Sequence, residues 1–303
     1  MKKLDKDNNL EQNRDMYLNL LKQCLTFSLW PEPSVPASVH LRDYSKDNFK
    51  RKFNLFLENM FLKLNRQLLK PLKYSDDDRL EGKTWSGYAH SMVGRKRLQN
   101  IQDCIHTIVE EQIPGDVLEA GVWRGGAAIF MKACLKAYNE SDRKVWLADS
   151  FEGLPEPNPV KYPADSGDFH HTYSFLSVSR EEVVQNFRNY KLFDDNVKFL
   201  EGWFKDTLPN APIDKLSILR ADGDMYESTH DILTNLYHKL SPGGFCIIDD
   251  YCLDGCRKAV QDFRQDKGIH DKIIEIDPIS AFLEIKCLVE PSSRANLLYS
   301  TLF

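Results

Sequence analysis

The first hundred residues carry apolar side chains at helical spacing. Near the start, five of them recur every three or four positions: Tyr17, Leu20, Leu21, Cys24 and Leu25. A second stripe of the same kind precedes Pro71: Phe53, Phe56, Leu57, Met60, Phe61, Leu64 and Leu68. Each stripe predicts an amphipathic helix, and the prolines at 31, 33 and 36 predict an extended connection between the two. The charged residues 1–14 are predicted to be disordered, and the polar residues 76–88 to form a loop.

A different pattern starts near residue 116, where short apolar runs alternate with helical ones. The runs that predict strands are 116–121, 144–149, 196–200, 217–221, 244–248, 271–276 and 281–286, the last two forming a hairpin around Pro278. Helices are predicted between them at 127–138, at 180–190, from about residue 228 and around residues 259–263. Strands that alternate with helices are typical of an α/β fold, in which helices cover both faces of a mostly parallel sheet.

Two neighbouring strands of this predicted sheet each end in a pair of acids. Asp222 and Asp224 follow the run 217–221, and Asp249 and Asp250 follow the run 244–248. The carboxyl ends of parallel strands meet at one edge, where open α/β sheets bind their ligands. Four carboxylates at that edge predict a divalent cation with oxygen ligands, and Mg²⁺ is the first choice. The alternative is that each acid pair caps the helix that follows it.

A glycine-rich turn follows the first predicted strand. Gly121, Gly125 and Gly126 lie there without the spacing of a dinucleotide-binding motif, and no Gly-Lys-Ser or Gly-Lys-Thr phosphate loop occurs. An adenosyl ligand that lacks a pyrophosphate fits better, because Gly121 would let it approach the backbone. Asp149, 28 residues later at the next strand end, would accept its ribose hydroxyls, and Glu119 would face a cationic amino group. Alternatively, the two acids face helix N-termini as caps.

The residues from 151 to 177 show no helical period and include four prolines. So long a segment inside a domain is often a lid over a site. His170 and His171 within it are candidate bases, or else solvated loop histidines. Trp203 follows the strand run 196–200, where its indole would stack on adenine or pack in the core.

Composition narrows the classes of partner. The chain has 303 residues, 42% of them hydrophobic, with a net charge of −5 and a pI of about 5.9. No basic face is implied, so nucleic acid is not an expected partner, and no apolar stretch is long enough to span a membrane. The polar N-terminus shows no signal-peptide pattern. Seven cysteines in scattered positions favour a reduced, cytoplasmic protein over a disulfide framework or a zinc site at Cys252 and Cys256.

Five separated motifs carry a family resemblance that covers about residues 15–290. In chain order they are Met92-Val93-Gly94, residues 114–159 with Gly121-Val122-Trp123-Arg124-Gly125-Gly126 and Asp149-Ser150-Phe151-Glu152-Gly153, residues 202–209, residues 222–228, and Asp249-Asp250-Tyr251. Together they resemble the macrocin O-methyltransferase family, whose members methylate sugar hydroxyls of macrolide and aminocoumarin natural products. The resemblance implies an enzyme that depends on S-adenosylmethionine and Mg²⁺. It also implies a small-molecule glycosylated substrate.

The resemblance implies a Rossmann-like, seven-stranded class I methyltransferase sheet with helices on both faces. We expect residues 1–14 to be disordered, 15–110 to form a helical extension with a lid or cap region, and 111–303 to form the methyltransferase domain. The N-terminal helices are expected to join copies of the chain into a homo-oligomer. Alternatives are an O-methyltransferase of a surface glycan or another vicinal diol, an NAD-dependent sugar oxidoreductase, and a binding module without catalysis.

Carried onto this chain, the resemblance implies that Asp222, Asp249 and Asp250 hold Mg²⁺ and that Asp224 is the general base. We expect a turn at Gly223 to swing Asp224 toward the acceptor hydroxyl, since glycine tolerates the necessary dihedral angles. The implied cofactor-binding residues are Met92, Glu119, Gly121, Trp123, Asp149, Ser150, Gly202 and Trp203. Ala120 and Ser91 stand where the family usually has Thr, and the loop near Trp85 lacks the family's Asp-Trp-Pro.

Overall fold

The computed structural model describes residues 2–36, 48–84 and 86–286. The chain forms two compact units, Met1–Leu98 and Gln99–Phe303. The domain boundary predicted near residue 110 falls at the end of a helix, Arg95–Glu110, that begins in the first unit and continues into the second. The predicted domain boundaries stay a prediction, and Trp85 and residues 287–303 lie outside the described residues.

The first unit is mostly helical. Its elements are α1 (Lys2–Leu25), β1 (Val35–Pro36), α2 (Asn48–Lys63), β2 (Leu69–Lys70), α3 (Asp76–Glu81) and the start of α4 (Arg95–Glu110). The two predicted helices are present, although α1 begins well before residue 15 and α2 ends before Leu64. The predicted loop at 76–88 was wrong at its start, where α3 forms. Ser75 caps α3, because its Oγ accepts from the Asp78 N–H while its own N–H donates to Asp78 Oδ2.

The second unit alternates strands and helices as predicted. Its elements after α4 are β3 (Asp116–Ala120), α5 (Gly126–Ala137), β4 (Val145–Asp149), α6 (Arg180–Asn189), β5 (Val197–Glu201), α7 (Phe204–Thr207), β6 (Leu216–Ala221), α8 (Tyr226–Leu236), β7 (Leu240–Ile248), α9 (Asp254–Lys267), β8 (Ile274–Glu275) and β9 (Ala281–Glu284). They form one seven-stranded sheet in the order β5-β4-β3-β6-β7-β9-β8. β3 to β7 pair in parallel, and β9 is antiparallel to both neighbours. The predicted hairpin is thereby confirmed.

The order of strands fixes where a ligand can bind. From β3, the chain continues to β4 and β5 on one side and later to β6 and β7 on the other. Connections that diverge in this way open a crevice at the carboxyl ends of the two central strands. No helix in the described part of the chain is long and apolar enough to cross a membrane.

Apolar side chains that alternate along the strands build the core on one face of the sheet. Leu118, Leu219 and Ile248 belong to one buried cluster, together with Ile232 of α8 and Phe263 of α9. The intervening strand residues point to the opposite face, because the side-chain period of a strand is two. Helix α5, whose side chains are not part of this cluster, contacts β3 and β4. Helices therefore cover both faces, as predicted.

The hydrogen-bond ladder continues past the ends of the strands. The Gly121 N–H donates to Ala148 O at 2.9 Å, the Asp222 N–H to Ala120 O at 2.8 Å, and the Asp249 N–H to Ala221 O at 2.9 Å. A Cβ on Gly121, whose φ is +90°, would lie 1.9 Å from Asp222 O, so no other residue fits there without displacing the next strand end. The ladder holds these residues in one row at the carboxyl edge.

The cysteines show no framework of disulfide bonds within the described residues. Cys24, Cys104, Cys134, Cys246, Cys252 and Cys256 are free, and Cys287 lies outside that part of the chain. The cytoplasmic location that the cysteine pattern favours stays a prediction.

Candidate active site

The two acid pairs meet at the carboxyl edge, as the sequence predicts. Asp222 and Asp224 follow β6, and Asp250 follows β7. Each offers a carboxylate oxygen, and these three oxygens lie within 4.8 Å of one another. The three residues are half-buried. A cluster of carboxylate oxygens is the ligand set that hard divalent cations prefer. Among the described residues, this group is therefore a candidate metal site.

The turn between the two acids of β6 differs from the predicted one. Asp224 has the left-handed backbone, with a φ of 53°, and Gly223 does not. The Met225 N–H donates to Gly223 O at 2.5 Å, which closes a three-residue turn around Asp224. Gly223 is required for space instead, because a Cβ there would lie 2.9 Å from the Thr229 backbone N. The turn brings the Asp224 carboxylate beside that of Asp222 rather than apart from it.

Asp249 has a different position from the other predicted metal ligands. Its Oδ1 lies 2.6 Å from Nη2 of Arg220, a residue of β6 that the sequence analysis did not single out. Arg220 Nη1 also donates to Asp222 Oδ2 at 2.9 Å and to Glu119 Oε1 at 2.6 Å. The signal that could have found Arg220 is a charged side chain in the middle of a buried apolar run.

Burial and mutual repulsion make these carboxylates unusual acids. Burial and the Asp222 charge raise the pKa of Asp224 to about 7, against the opposing effect of His170. Burial, Asp224 and Asp222 raise the pKa of Asp250 well above its usual range. Asp250 Oδ2 is buried and accepts no hydrogen bond from the described residues. A cation at this point would relieve the repulsion and give that oxygen a partner.

Glu119 is a fully buried acid at the end of β3. Its side chain is 2% exposed, and burial raises its pKa to about 8 although the Arg220 charge opposes the shift. Oε1 is held by Arg220, whereas Oε2 has no hydrogen-bond partner among the described residues. The Ala128 backbone N–H in the first turn of α5 also lowers the pKa of Glu119, so a cationic ligand group and a cap on α5 both stay predictions.

Asp149, at the end of β4, ties the glycine-rich turn to the sheet. Its Oδ2 accepts from the Val122 N–H at 2.6 Å and its Oδ1 from the Phe151 N–H at 2.7 Å. Burial raises the pKa of Asp149, and these backbone donors oppose the shift. The Trp123 backbone N–H is a third donor that lowers its pKa, and the lone-pair positions that these donors leave are available to a ligand.

The other predicted cofactor residues have partly structural roles. Ser150 Oγ donates to Gly153 O at 2.9 Å, and the Trp123 indole N–H donates to Phe175 O at 3.0 Å. The Gly202 N–H continues the ladder to Asp149 O, and Trp203 follows it as the residue that precedes α7. Met92 is half-buried in the first unit. Of the predicted set, Glu119, Gly121, Asp149 and Gly202 share the carboxyl edge of the sheet.

The long segment 151–177 is bonded to the helix that follows the acids. Asp165, which is buried, accepts from the Tyr226 N–H at 2.6 Å and from the Glu227 N–H at 3.2 Å, so it caps α8. Gly255 of α9 lies close behind, since a Cβ there would lie 2.6 Å from Asp165 Oδ1. The sequence could not indicate this cap, because the cap residue lies 61 positions from the helix start. Closure of the segment as a lid stays a prediction.

His170 in the same segment is oriented by a neighbouring acid. Its Nδ1 lies 2.7 Å from Asp168 Oδ2, and its backbone N–H donates to Asp168 Oδ1. The bond to Asp168 raises the pKa of His170, and the Asp224 charge acts in the same direction. His170 is therefore held by a carboxylate partner and lies within the electrostatic reach of Asp224.

Solved structures identify the class of this fold. The chain is similar to the O-methyltransferase NovP, with a TM-score of 0.76 and 39% identity, over 90% of this chain and 100% of that one. A calicheamicin methyltransferase has the same fold at 16% identity and a TM-score of 0.52, over 81% and 96% of the two chains. The fold is that of the class I methyltransferases, which confirms the predicted fold class.

The chain belongs to the macrocin O-methyltransferase (TylF) family, whose model matches residues 14–284. A tetracenomycin 4'-O-methyltransferase of Streptomyces olivaceus is 44% identical, over 90% of this chain and 93% of that protein. The demethyldecarbamoylnovobiocin O-methyltransferase of Streptomyces niveus is 51% identical over 67% and 79%. The protein is a methyltransferase, so the oxidoreductase and the binding module no longer stand as alternatives.

We expect Asp165→Asn to loosen the segment 151–177 and to destabilise α8, because an amide nitrogen would replace one acceptor oxygen. Loss of a helix cap costs about 0.5–2 kcal/mol. Thermal unfolding should shift downward, and a protease should cut residues 155–175 faster. Glu156→Gln is the control, since it makes the same change at an exposed position of that segment. Equal unfolding and cutting of the two variants would rule out the anchoring role.

Proposed function

We propose that the protein is an O-methyltransferase that uses S-adenosylmethionine and Mg²⁺ to methylate a sugar hydroxyl of a glycosylated natural product. The observation that carries the proposal is the group of Asp222, Asp224 and Asp250 at the carboxyl edge, one strand away from the glycine-rich turn. A relative from Micromonospora griseorubida, a mycinamicin III 3''-O-methyltransferase, is 48% identical over 69% of this chain and 84% of that protein. The names of the other relatives also specify methylated natural products.

The cofactor would lie along the ends of β3, β4 and β5. When bound, S-adenosylmethionine supplies a methyl group on a sulfonium. In our assignment Glu119 Oε2 accepts from the amino group, and Asp149 accepts from the ribose hydroxyls with its remaining lone pairs. Gly121 and Gly202 let the ligand approach the backbone, while Trp203 contacts the adenine. Trp123 and Ser150 are further members of the set that the family resemblance implies.

The metal would lie between the ends of β6 and β7. Asp222 and Asp250 would hold it with carboxylate oxygens, and Asp249 would contribute a further one. When bound, Mg²⁺ lowers the pKa of a coordinated hydroxyl and orients it. Asp224 takes the proton that the acceptor hydroxyl loses as its oxygen forms the new bond to the methyl carbon. S-adenosylmethionine would supply that methyl group and keep the electron pair of the broken carbon–sulfur bond, so S-adenosylhomocysteine would be the product.

We expect Asp149→Ala to weaken binding of S-adenosylhomocysteine while the fold persists. Each lost hydrogen bond from a ribose hydroxyl to the carboxylate is worth about 1.5–3 kcal/mol, or about 10–100-fold in affinity. Isothermal titration calorimetry measures the change, and circular dichroism checks the fold. Glu152→Ala, at an exposed position of the same turn, is the control. An Asp149→Ala affinity within twofold of the wild type would remove Asp149 from the cofactor site.

We expect Asp222→Asn and Asp249→Asn to weaken Mg²⁺ binding, and Asp224→Asn to keep metal and cofactor binding while lowering turnover. Loss of a general base costs about 10²–10⁴ in rate. Calorimetry with MgCl₂ and a methyl-transfer assay on a rhamnosylated acceptor provide both readouts. Asp254→Asn, an exposed acid in the first turn of α9, is the control.

The Asp224 variant also decides between two roles, because the structure groups Asp224 with Asp222 and Asp250. If Asp224→Asn loses Mg²⁺ affinity as Asp222→Asn does, Asp224 is a ligand and not the base. If its turnover stays near normal, the proton goes elsewhere, and His170 is the next candidate. A deoxysugar of a natural product is the proposed acceptor, and a surface glycan with a vicinal diol is the alternative. Turnover of isolated glycan fragments in the same assay would favour the latter.

We also propose that the helices of the first unit join copies of the chain into a homo-oligomer. Met16 and Leu20 of α1 are 66% and 50% exposed, and Phe53 and Phe56 of α2 are 52% and 64% exposed. Exposed apolar patches of this kind commonly mark interfaces. Phe56→Glu should reduce the mass in light scattering toward the 35.1 kDa of one chain, whereas Asn59→Glu, at an exposed polar position of α2, should not. A wild-type mass of 35.1 kDa would refute the oligomer.

A further inference from the structure

Arg220 is the largest fully buried side chain of the described residues, with 1% of its side chain exposed. It lies in β6 directly beside Glu119 of β3, and Asp222 and Asp249 follow β6 and β7 on its carboxyl side. Nη1 contacts Glu119 Oε1 and Asp222 Oδ2, and Nη2 forms an ion pair with Asp249 Oδ1. One guanidinium thus binds acids from the ends of three adjacent strands.

The three acids belong to two different ligand sites of the proposed function. Glu119 is assigned to the cofactor, whereas Asp222 and Asp249 are assigned to the metal. The guanidinium contacts one oxygen of each acid. The second oxygen of Glu119, Oε2, is buried and has no hydrogen-bond partner among the described residues. The planar fork of an arginine fixes the direction of the carboxylates that it binds, which the point charge of a lysine does not.

We propose that Arg220 is a positioning residue that orients Glu119 for the cofactor and Asp222 and Asp249 for the metal at the same time. The inference rests on the proposed function. Without the guanidinium, Glu119, Asp222 and Asp249 lose the donor that they share, and their carboxyl groups are no longer aligned by it. In this proposal Arg220 touches neither ligand. It acts through the carboxylates, in the way that outer partners of metal ligands orient them.

If Arg220 only stabilised the fold, its substitution would lower stability without a specific loss of ligand binding. Arg143 is a control for that case. Arg143 precedes β4 at the opposite edge of the sheet, where it donates to Ile113 O and Gly115 O at 2.7 Å and pairs with Glu140. Arg143 therefore joins elements of the same sheet, and its hydrogen bonds and ion pair within the described residues do not involve a site acid. Its loss should lower stability and leave ligand binding unchanged.

The experiment compares Arg220→Lys and Arg143→Lys with the wild type, by calorimetry with MgCl₂ and with S-adenosylhomocysteine. We expect Arg220→Lys to fold and to lose about tenfold or more in affinity for each ligand, in line with substitutions of residues that orient metal ligands. Arg143→Lys should lower the unfolding temperature and keep both affinities within twofold. If both affinities of a folded Arg220→Lys stay within twofold of the wild type, the inference is overturned.

A second variant pair keeps the inference testable if Arg220→Lys does not fold. Glu119→Gln with Arg220→Gln replaces one buried ion pair by two amides that can bond to each other, so the net charge of the cluster does not change. It should lose Mg²⁺ affinity about tenfold relative to Glu119→Gln alone, since Glu119 is not a metal ligand. Equal Mg²⁺ affinity of the double and single variants overturns the inference.

Different results would refute the proposed function and the inference about Arg220. If the wild type binds S-adenosylhomocysteine but not Mg²⁺, the metal assignment is wrong. The Arg220 inference is then decided by the cofactor alone: a tenfold loss of S-adenosylhomocysteine affinity in Arg220→Lys supports it, and an unchanged affinity overturns it.

Discussion

Negative charge concentrated at one edge of the sheet is the constraint on which the site depends. The ends of β3, β6 and β7 bring Glu119, Asp222, Asp249 and Asp250 to one place, and the turn after β6 adds Asp224. Five carboxylates in a partly dry crevice are unfavourable without cations. Arg220 supplies one positive charge from within the fold, and the remaining negative charge is what makes the crevice suitable for a divalent cation and a cationic cofactor.

The loops around this edge are fixed by bonds between distant parts of the chain. Asp149 holds the backbone of the glycine-rich turn, and Trp123 of that turn donates to Phe175 at the far end of the long segment. Asp165 in the middle of that segment caps α8, which begins directly after the turn at Asp224. The glycine-rich turn and the turn at Asp224 are thus connected through one segment without regular strands.

The sequence predicts most of the fold, because local patterns carry it. Period-two runs give the strands, and the alternation with helices gives the parallel sheet. The errors concern features that depend on single side chains or on neighbours. The short helix at Asp76–Glu81 forms through its capping box at Ser75. At the turn after β6, the residue with the left-handed backbone is Asp224 and not Gly223. Gly223 is required there for space, because a side chain at this position would collide with the backbone of Thr229.

By itself, the sequence determined the fold class and the acids that gather at the carboxyl edge of the sheet. These follow from residue type and spacing, since the carboxyl ends of parallel strands always meet. Only the tertiary structure decided how the acids are divided. Asp224 joins Asp222 and Asp250, while Asp249 and Glu119 pair with Arg220. Arg220 and Glu119 are 101 positions apart, and their contact depends on strand register and side-chain direction. Neither of these follows from the local sequence pattern.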